Sequence, residues 1–194
     1  MASTVGHALA GVVLYQCFSN DDGGRGLPRP LALAASAALA NLPDIDFFLG
    51  YLIHGDPRAM HAGVTHTVPF ALLAALGAAG ARLFGGVGRT FGIAFLIVLS
   101  HVLLDFASGT SLGFAPGHGV MLLYPISEER WDAPIKLFLG AHHRDLESLL
   151  SLHNLTAVLW ESAFFVPLIY LLAQRWRRRG RPWRVDRPTA SKNP

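Results

Sequence analysis

His101 and Asp105 stand four residues apart within FLIVLSHVLLDF, residues 95–106, in the most hydrophobic part of the chain. Residues four apart on an α-helix stack on one face. An imidazole and a carboxylate therefore point at one place from inside an apolar helix. The same residue types recur at the edges or breaks of other apolar segments: His7 in GHALAG, Asp44 and Asp46 in NLPDID, and His61 and His66 in HAGVTHT. Imidazole nitrogens and carboxylate oxygens, with no thiolate among them, suit Zn²⁺ first and Mn²⁺ or Fe²⁺ second, with one to three ions for a set of this size. A carboxylate in apolar surroundings costs at least about 2.5 kcal/mol on insertion scales, and a divalent cation offsets that cost.

The elements that must position these groups are membrane helices. The chain is 52% hydrophobic and only 15% charged, with a mean hydropathy of +0.37, whereas soluble domains carry about 25% charged residues. Five apolar segments appear, at residues 3–18, 31–53, 66–84, 91–106 and 154–173, most of them short for a bilayer core about 30 Å thick. The clusters NDDGGRGLPRP, HGDPRAMHAG and GGVGR separate the first four and carry turn signals. Residues 107–153 read as a long irregular connection, a kind of loop that is usually functional or disordered. The expected fold is an all-α integral membrane bundle of about five helices, with that loop between the fourth and fifth. Residues 1–174 form the membrane domain and residues 175–194 a basic, flexible tail. MASTVGHALAG lacks a basic n-region and reads as part of the first helix rather than as a cleaved signal. The lone Cys17 allows neither an intrachain disulfide nor a thiolate cluster.

If successive helices alternate direction, the start of the first, the end of the second, the start of the third and the end of the fourth share one side of the membrane. The seven residues then converge. Each has a plainer reading: His7 as a hydrogen-bonded core residue, and Asp44 or Asp46 as a cap after the helix-breaking Pro43. His54 and Cys17 read as incidental.

GHALAG, NLPDID, a His followed by THT, and LSHVLLDFASGTSLGF followed by LLYPIS resemble the YdjM family of membrane-bound, metal-dependent hydrolases, over residues 1–130 in consistent order and spacing. The resemblance implies a site of His7, Asp44, Asp46, His61, His66, His101 and Asp105. Family members show His-Arg-Gly-x-Thr-His where this chain has HAGVTH, with Ala62 in the arginine's place. Arg58 is then the candidate for holding an anionic substrate. The chain is more distantly similar to the zinc-dependent phospholipase C and zinc nuclease superfamily, which adds His118, His143 and Glu147 as metal candidates. PGHG also reads as a plain turn, and HHRDLE as an exposed amphipathic turn.

Charge sets the expected orientation. Twelve of the sixteen basic residues fall on the side opposite the His/Asp cluster and four on its own side. Basic residues mark the cytoplasmic face, so the cluster is expected to face outward and the tail to be cytoplasmic, in a cell or inner membrane. The implied function is hydrolysis of a phosphoester or phosphodiester of a lipid or lipid-linked substrate. Metal activation of water serves that reaction, with Asp44 or Asp46 as general base. No Gly-x-Ser-x-Gly, Walker loop or cysteine nucleophile is present. The alternative is a metal-binding membrane protein without hydrolase activity, for transport, sensing or an adaptor role. The basic tail suits anionic lipid and carries no signature of specific nucleic-acid binding.

Overall fold

The computed structural model describes residues 1–19, 26–56, 59–117, 119–143 and 146–179. Helices α1 (Thr4–Phe18), α2 (Arg29–Ala40), α3 (Ile45–His54), α4 (Val68–Gly80), α5 (Val87–Phe106), α6 (Leu146–Leu149) and α7 (Leu152–Arg179) carry almost all of the regular structure, with two two-residue strands, β1 (Ser108–Gly109) and β2 (Phe138–Leu139). Helices α5 and α7 are long and apolar enough to cross a membrane. The bent pair α2 and α3 counts as a third span if taken as one, and α1 and α4 are shorter apolar helices. This is a helical membrane protein.

The five expected segments are present, with one refinement. The second is broken: α2 ends at Ala40, a 3₁₀ turn runs over Leu42–Asp44, and α3 leaves at 53°. Pro43 has no backbone N–H to continue an α-helix but fits the first turn of a new one. The break puts Asp44 and Asp46 at the start of α3 rather than at the end of a span. Asp44 makes no side-chain capping bond there, which frees its carboxylate for other partners. His54, expected in an open loop, is instead the last residue of α3 and is exposed.

Helix α1 packs against α2, α5 and α7, and α4 packs against α5. Small residues bring α1 and α2 close together, as in membrane helices whose backbones approach closely. A Cβ at Gly11 would lie 2.5 Å from the Ser36 carbonyl oxygen. The main apolar core gathers Ala32, Ala40, Ala75, Ala78, Ala94 and Ile97 around Tyr15 and Phe84.

Contacts fix the two ends of the bundle. At one end the Leu27 N–H donates to Leu83 O (3.0 Å), Arg89 donates to Phe18 O (3.2 Å), and the Arg29 guanidinium lies 3.7 Å from the centre of the Trp176 ring. At the other end the long connection folds back over the end of α5. Strands β1 and β2 pair in parallel, the Leu137 N–H donates to Ala107 O (2.9 Å), and the buried Lys136 ammonium pairs with Asp132. Asn154 at the start of α7 then clasps the backbone of His142 through both its N–H (2.7 Å) and its carbonyl (2.8 Å).

Candidate metal centre

All seven residues expected from the sequence meet at the second end of the bundle. His7 comes from α1, Asp44 and Asp46 from the break between α2 and α3, His61 and His66 from the segment before α4, and His101 and Asp105 from the last turns of α5. His7, Asp46, His66, His101 and Asp105 are buried. Asp44 keeps 22% of its side chain exposed.

The rings of His101, His66 and His61 are oriented by partners on their Nδ1 side. His101 Nδ1 lies 2.8 Å from the carbonyl oxygen of Ala40, the last residue of α2. His66 Nδ1 lies 3.1 Å from Asp46 Oδ2 and His61 Nδ1 3.0 Å from Asp46 Oδ1. Asp46 also accepts from the Ala62 N–H (3.2 Å) and the Thr65 hydroxyl (2.8 Å). An Nδ1–H donated to a carbonyl or carboxylate fixes the tautomer and presents Nε2 as a ligand atom, the usual outer support of a metal-binding histidine.

The Nε2 atoms of His66 and His101 stand 3.0 Å apart. Asp44 Oδ1 lies 3.5 Å from each of them. On the other flank Asp105 Oδ2 lies 3.5 Å from His66 Nε2 and 3.3 Å from His101 Nε2. A tetrahedral ion with bonds of about 2.0–2.1 Å has donor-to-donor edges of about 3.3 Å. Each carboxylate thus completes a triangle of the size of a tetrahedral face with the same histidine pair. Among the described residues three donor groups suit an ion: Asp44, His66 and His101; His7, His101 and Asp105; and Asp46, His61 and His66.

The donors also pass a test of fit. Among the described residues, His7 Nδ1, His61 Nε2, Asp105 Oδ2 and His143 Nε2 are buried without a hydrogen-bond partner, and buried polar atoms normally have one. Three carboxylates among the histidines favour positive charge. At His66, burial opposes protonation, but Asp44 and Asp46 outweigh it and raise the pKa. The same carboxylates would attract a metal cation, which has to displace that proton to bind the ring.

His143 reaches the same place from the long connection. Its ring lies 5.9 Å from that of His61 and 5.5 Å from that of Phe47, edge-on to both. Burial, followed by nearby positive charge, pushes its pKa down to about 4, which leaves it neutral at pH 7. Arg58, His118 and the side chain of Glu147 lie outside the described residues.

Sequence reasoning missed the supports. Glu161 of α7 is fully buried and accepts from the Ser3 N–H (2.9 Å) and from the Ser3 hydroxyl. Ser3 in turn caps α1 through the Gly6 N–H (3.0 Å). A Cβ at Gly6 would lie 2.5 Å from the Glu161 carboxyl carbon. The clamp holds the first turn of α1 where the Ala2 N–H donates to Asp105 Oδ1 (2.8 Å) and His7 stacks on His101, with ring centres 3.7 Å apart. An acid inside the last apolar segment was the one available signal, since intramembrane ionisable groups seldom lack a function.

A cleft of about 460 Å³ opens onto the centre, with Asp44, His61 and His143 among its lining residues and Ala38, Leu42, Ile45, Phe47 and Phe48 along its walls. A bundle of apolar helices closed at one end by buried imidazoles and carboxylates defines a helical membrane protein with a centre able to hold a divalent metal. The chain belongs to the YdjM inner membrane protein family, which it matches over residues 1–180. No curated protein and no solved structure matches the chain.

Proposed function

We propose that this centre binds a divalent metal, zinc by its donor set, and hydrolyses a phosphoester or phosphodiester. One observation carries the reading: two oriented Nε2 atoms 3.0 Å apart, flanked by a buried carboxylate on one side and, on the other, one that reaches an open cleft. A structural metal site is closed, whereas a catalytic one keeps a position open for water or substrate. A divalent ion, when bound, lowers the pKa of water from 15.7 to about 7 and polarises a phosphoryl oxygen.

The chain's own groups divide the remaining work. His66 and His101 supply Nε2 donors, and Asp105 a buried carboxylate oxygen. Asp46 holds the His61 and His66 rings and has its oxygens occupied by donors in doing so. Asp44, with Oδ1 toward the histidine pair and an edge toward the cleft, accepts the proton of the attacking water as the ester oxygen leaves phosphorus. The purified chain in detergent, given bis(p-nitrophenyl) phosphate and zinc, is expected to release nitrophenolate in a reaction that stops with a chelator and returns with metal. Release unaffected by the chelator, or no release from fully loaded protein with this probe and with phosphodiester lipids, would overturn the hydrolase reading.

The alternative of metal passage is less well supported. Transport needs polar groups continuing to the opposite face, and the core next to the centre along α5 is Ala94, Ile97 and Val98. We also propose that the centre faces outward, because the far end gathers Arg29, Arg82, Arg89, Arg175, Arg177 and Arg178 and basic residues mark the cytoplasm. In a Cys17-free background, a cysteine at exposed His54 is expected to react with an impermeant maleimide on intact spheroplasts, and one at exposed Arg178 only after lysis. The reverse pattern would invert the orientation.

A further inference from the structure

Helix lengths give the level of the centre in the membrane. One boundary is marked by arginines and a tryptophan, the residues of a membrane–water interface: Arg29 stacks on Trp176 and Arg89 donates to Phe18 O, with Arg175 and Arg178 one turn or less from Trp176. From Arg89, His101 is twelve residues along α5 and Asp105 sixteen, about 18 and 24 Å at a rise of 1.5 Å per residue. Helix α7 gives the same measure. Glu161, which holds Ser3 next to the contact of Ala2 with Asp105, is fifteen residues from Trp176, about 22 Å. A hydrocarbon core is about 30 Å thick. Counted from the arginines, it runs on for roughly 6–12 Å past the centre.

What the chain builds past the centre matches that length. Helices α1, α2 and α4, with 15, 12 and 13 residues, measure about 18–22 Å and stop at the centre's level. Two helices continue. Helix α3 has ten residues and leaves α2 at 53°, so it climbs about 9 Å along the direction of α2. Its outer residues stay apolar, Phe48 and Leu52 being 80% and 81% exposed, until the chain turns polar at His54. Helix α7 runs nine residues beyond Glu161, with Leu152, Leu155, Leu159 and Trp160 exposed. Bare apolar residues occur on every helix here, but charges are sorted by level: Asp46, Asp105 and Glu161 are buried, and exposed acids first appear past the end of α5, at Glu128 and Glu129. The cleft supplies the polar side of the same level. Met1, Thr4, Asn41, Asp44, His61 and His143 line it, and the 3₁₀ turn over Leu42–Asp44 borders it, as irregular backbone at membrane depth must line a water-filled cavity or be buried in protein.

We propose that the hydrocarbon boundary lies past the centre, at the level of His54, so that the His/Asp centre is sunk inside the membrane by roughly 10 Å. Helix α3 and the first turns of α7 form a collar immersed in that leaflet, and the polar cleft carries water to the buried carboxylates. The depth stands apart from the hydrolase reading. Its consequence for substrate rests on that reading: the reactive bond belongs to a molecule already held in the membrane, because a centre at this level is set back from bulk water.

Spin labels measure the depth directly. The full chain carrying Cys17→Ser is given one further cysteine, by Phe48→Cys, Leu52→Cys or Leu159→Cys, labelled with a nitroxide and placed in phosphatidylcholine vesicles. All three positions are exposed, so the helical circular dichroism is expected to match that of the unlabelled chain. Collisions are compared between oxygen, which concentrates in hydrocarbon, and a nickel chelate, which stays in water. Glu128→Cys serves as the aqueous reference and Leu168→Cys, eight residues along α7 from Trp176, as the mid-membrane one. The oxygen-to-nickel ratio at Phe48, Leu52 and Leu159 is expected to exceed that at Glu128 at least threefold, on the side of Leu168. A smaller rise at any of the three would put the membrane surface at the level of the centre and overturn the proposal. Turnover of a phosphodiester lipid by a protein whose labels read as aqueous would uphold the hydrolase reading while striking the depth, and immersed labels on a protein that turns over no phosphoester would do the reverse.

Discussion

Purified His66→Ala/His101→Ala protein is expected to retain less than a tenth of the zinc that the wild-type chain binds, while His54→Ala retains all of it. The Nε2 atoms of the histidine pair are the shared edge between the two flanking carboxylates, so no donor group survives whole: His66 or His101 belongs to each of the three. His54 ends α3 on its exposed side and belongs to none of them. Removing one partner of a buried ionic set costs about 3–5 kcal/mol through the charge left unpaired. Asp105→Asn, nearly isosteric, therefore accompanies the double variant as a gentler probe. It leaves an oxygen to accept the Ala2 N–H and removes the anionic charge, and its zinc affinity is expected to fall at least tenfold while the helical circular dichroism stays at the wild-type value. Equal zinc in the double variant and in His54→Ala would place the metal elsewhere.

The second large effect separates the two aspartates of NLPDID. Asp44→Asn keeps a carbonyl oxygen where Oδ1 faces His66 and His101, and its zinc content is expected to stay near that of the wild type. It loses the carboxylate proposed to accept the proton at the cleft, and turnover of a phosphodiester is expected to drop by about 10²-fold or more, the usual scale for a general base. Asp46→Asn puts an amide against the Nδ1 atoms of His61 and His66, which removes the support that holds their Nε2 atoms toward the centre. Outer-shell losses of this type lower metal affinity about 10- to 100-fold, so zinc and activity are expected to fall together. Paired metal analysis and turnover on both variants decides it. Metal loss in step with activity in Asp44→Asn would remove the general-base role, and full activity in both variants would remove the mechanism.

The membrane class, the five apolar segments and the residues that converge were legible in the sequence, because each leaves a local mark. A histidine or aspartate in an apolar run is conspicuous, His101 and Asp105 reveal their common face by spacing, and alternating helices bring the other ends together. That Asp44 and Asp46 point differently was legible from Pro43, but which of them faces the cleft was not. It depends on Pro43 ending one helix and a 3₁₀ turn starting the next, which aims two carboxylates two residues apart in different directions. The supports were hidden for a different reason. The Ala40 carbonyl is a backbone atom, free only because α2 ends there, and Glu161 meets Ser3 across 158 positions of sequence. Such long-range pairs follow from packing, and no local pattern announces them.

The most direct test of the metal centre is elemental mass spectrometry of the full chain, purified in detergent without added metal and then titrated with zinc after chelator dialysis. At least one tightly held zinc per chain is expected, lost in the His66→Ala/His101→Ala protein under identical handling. A wild-type chain that takes up no more zinc than that variant would contradict it.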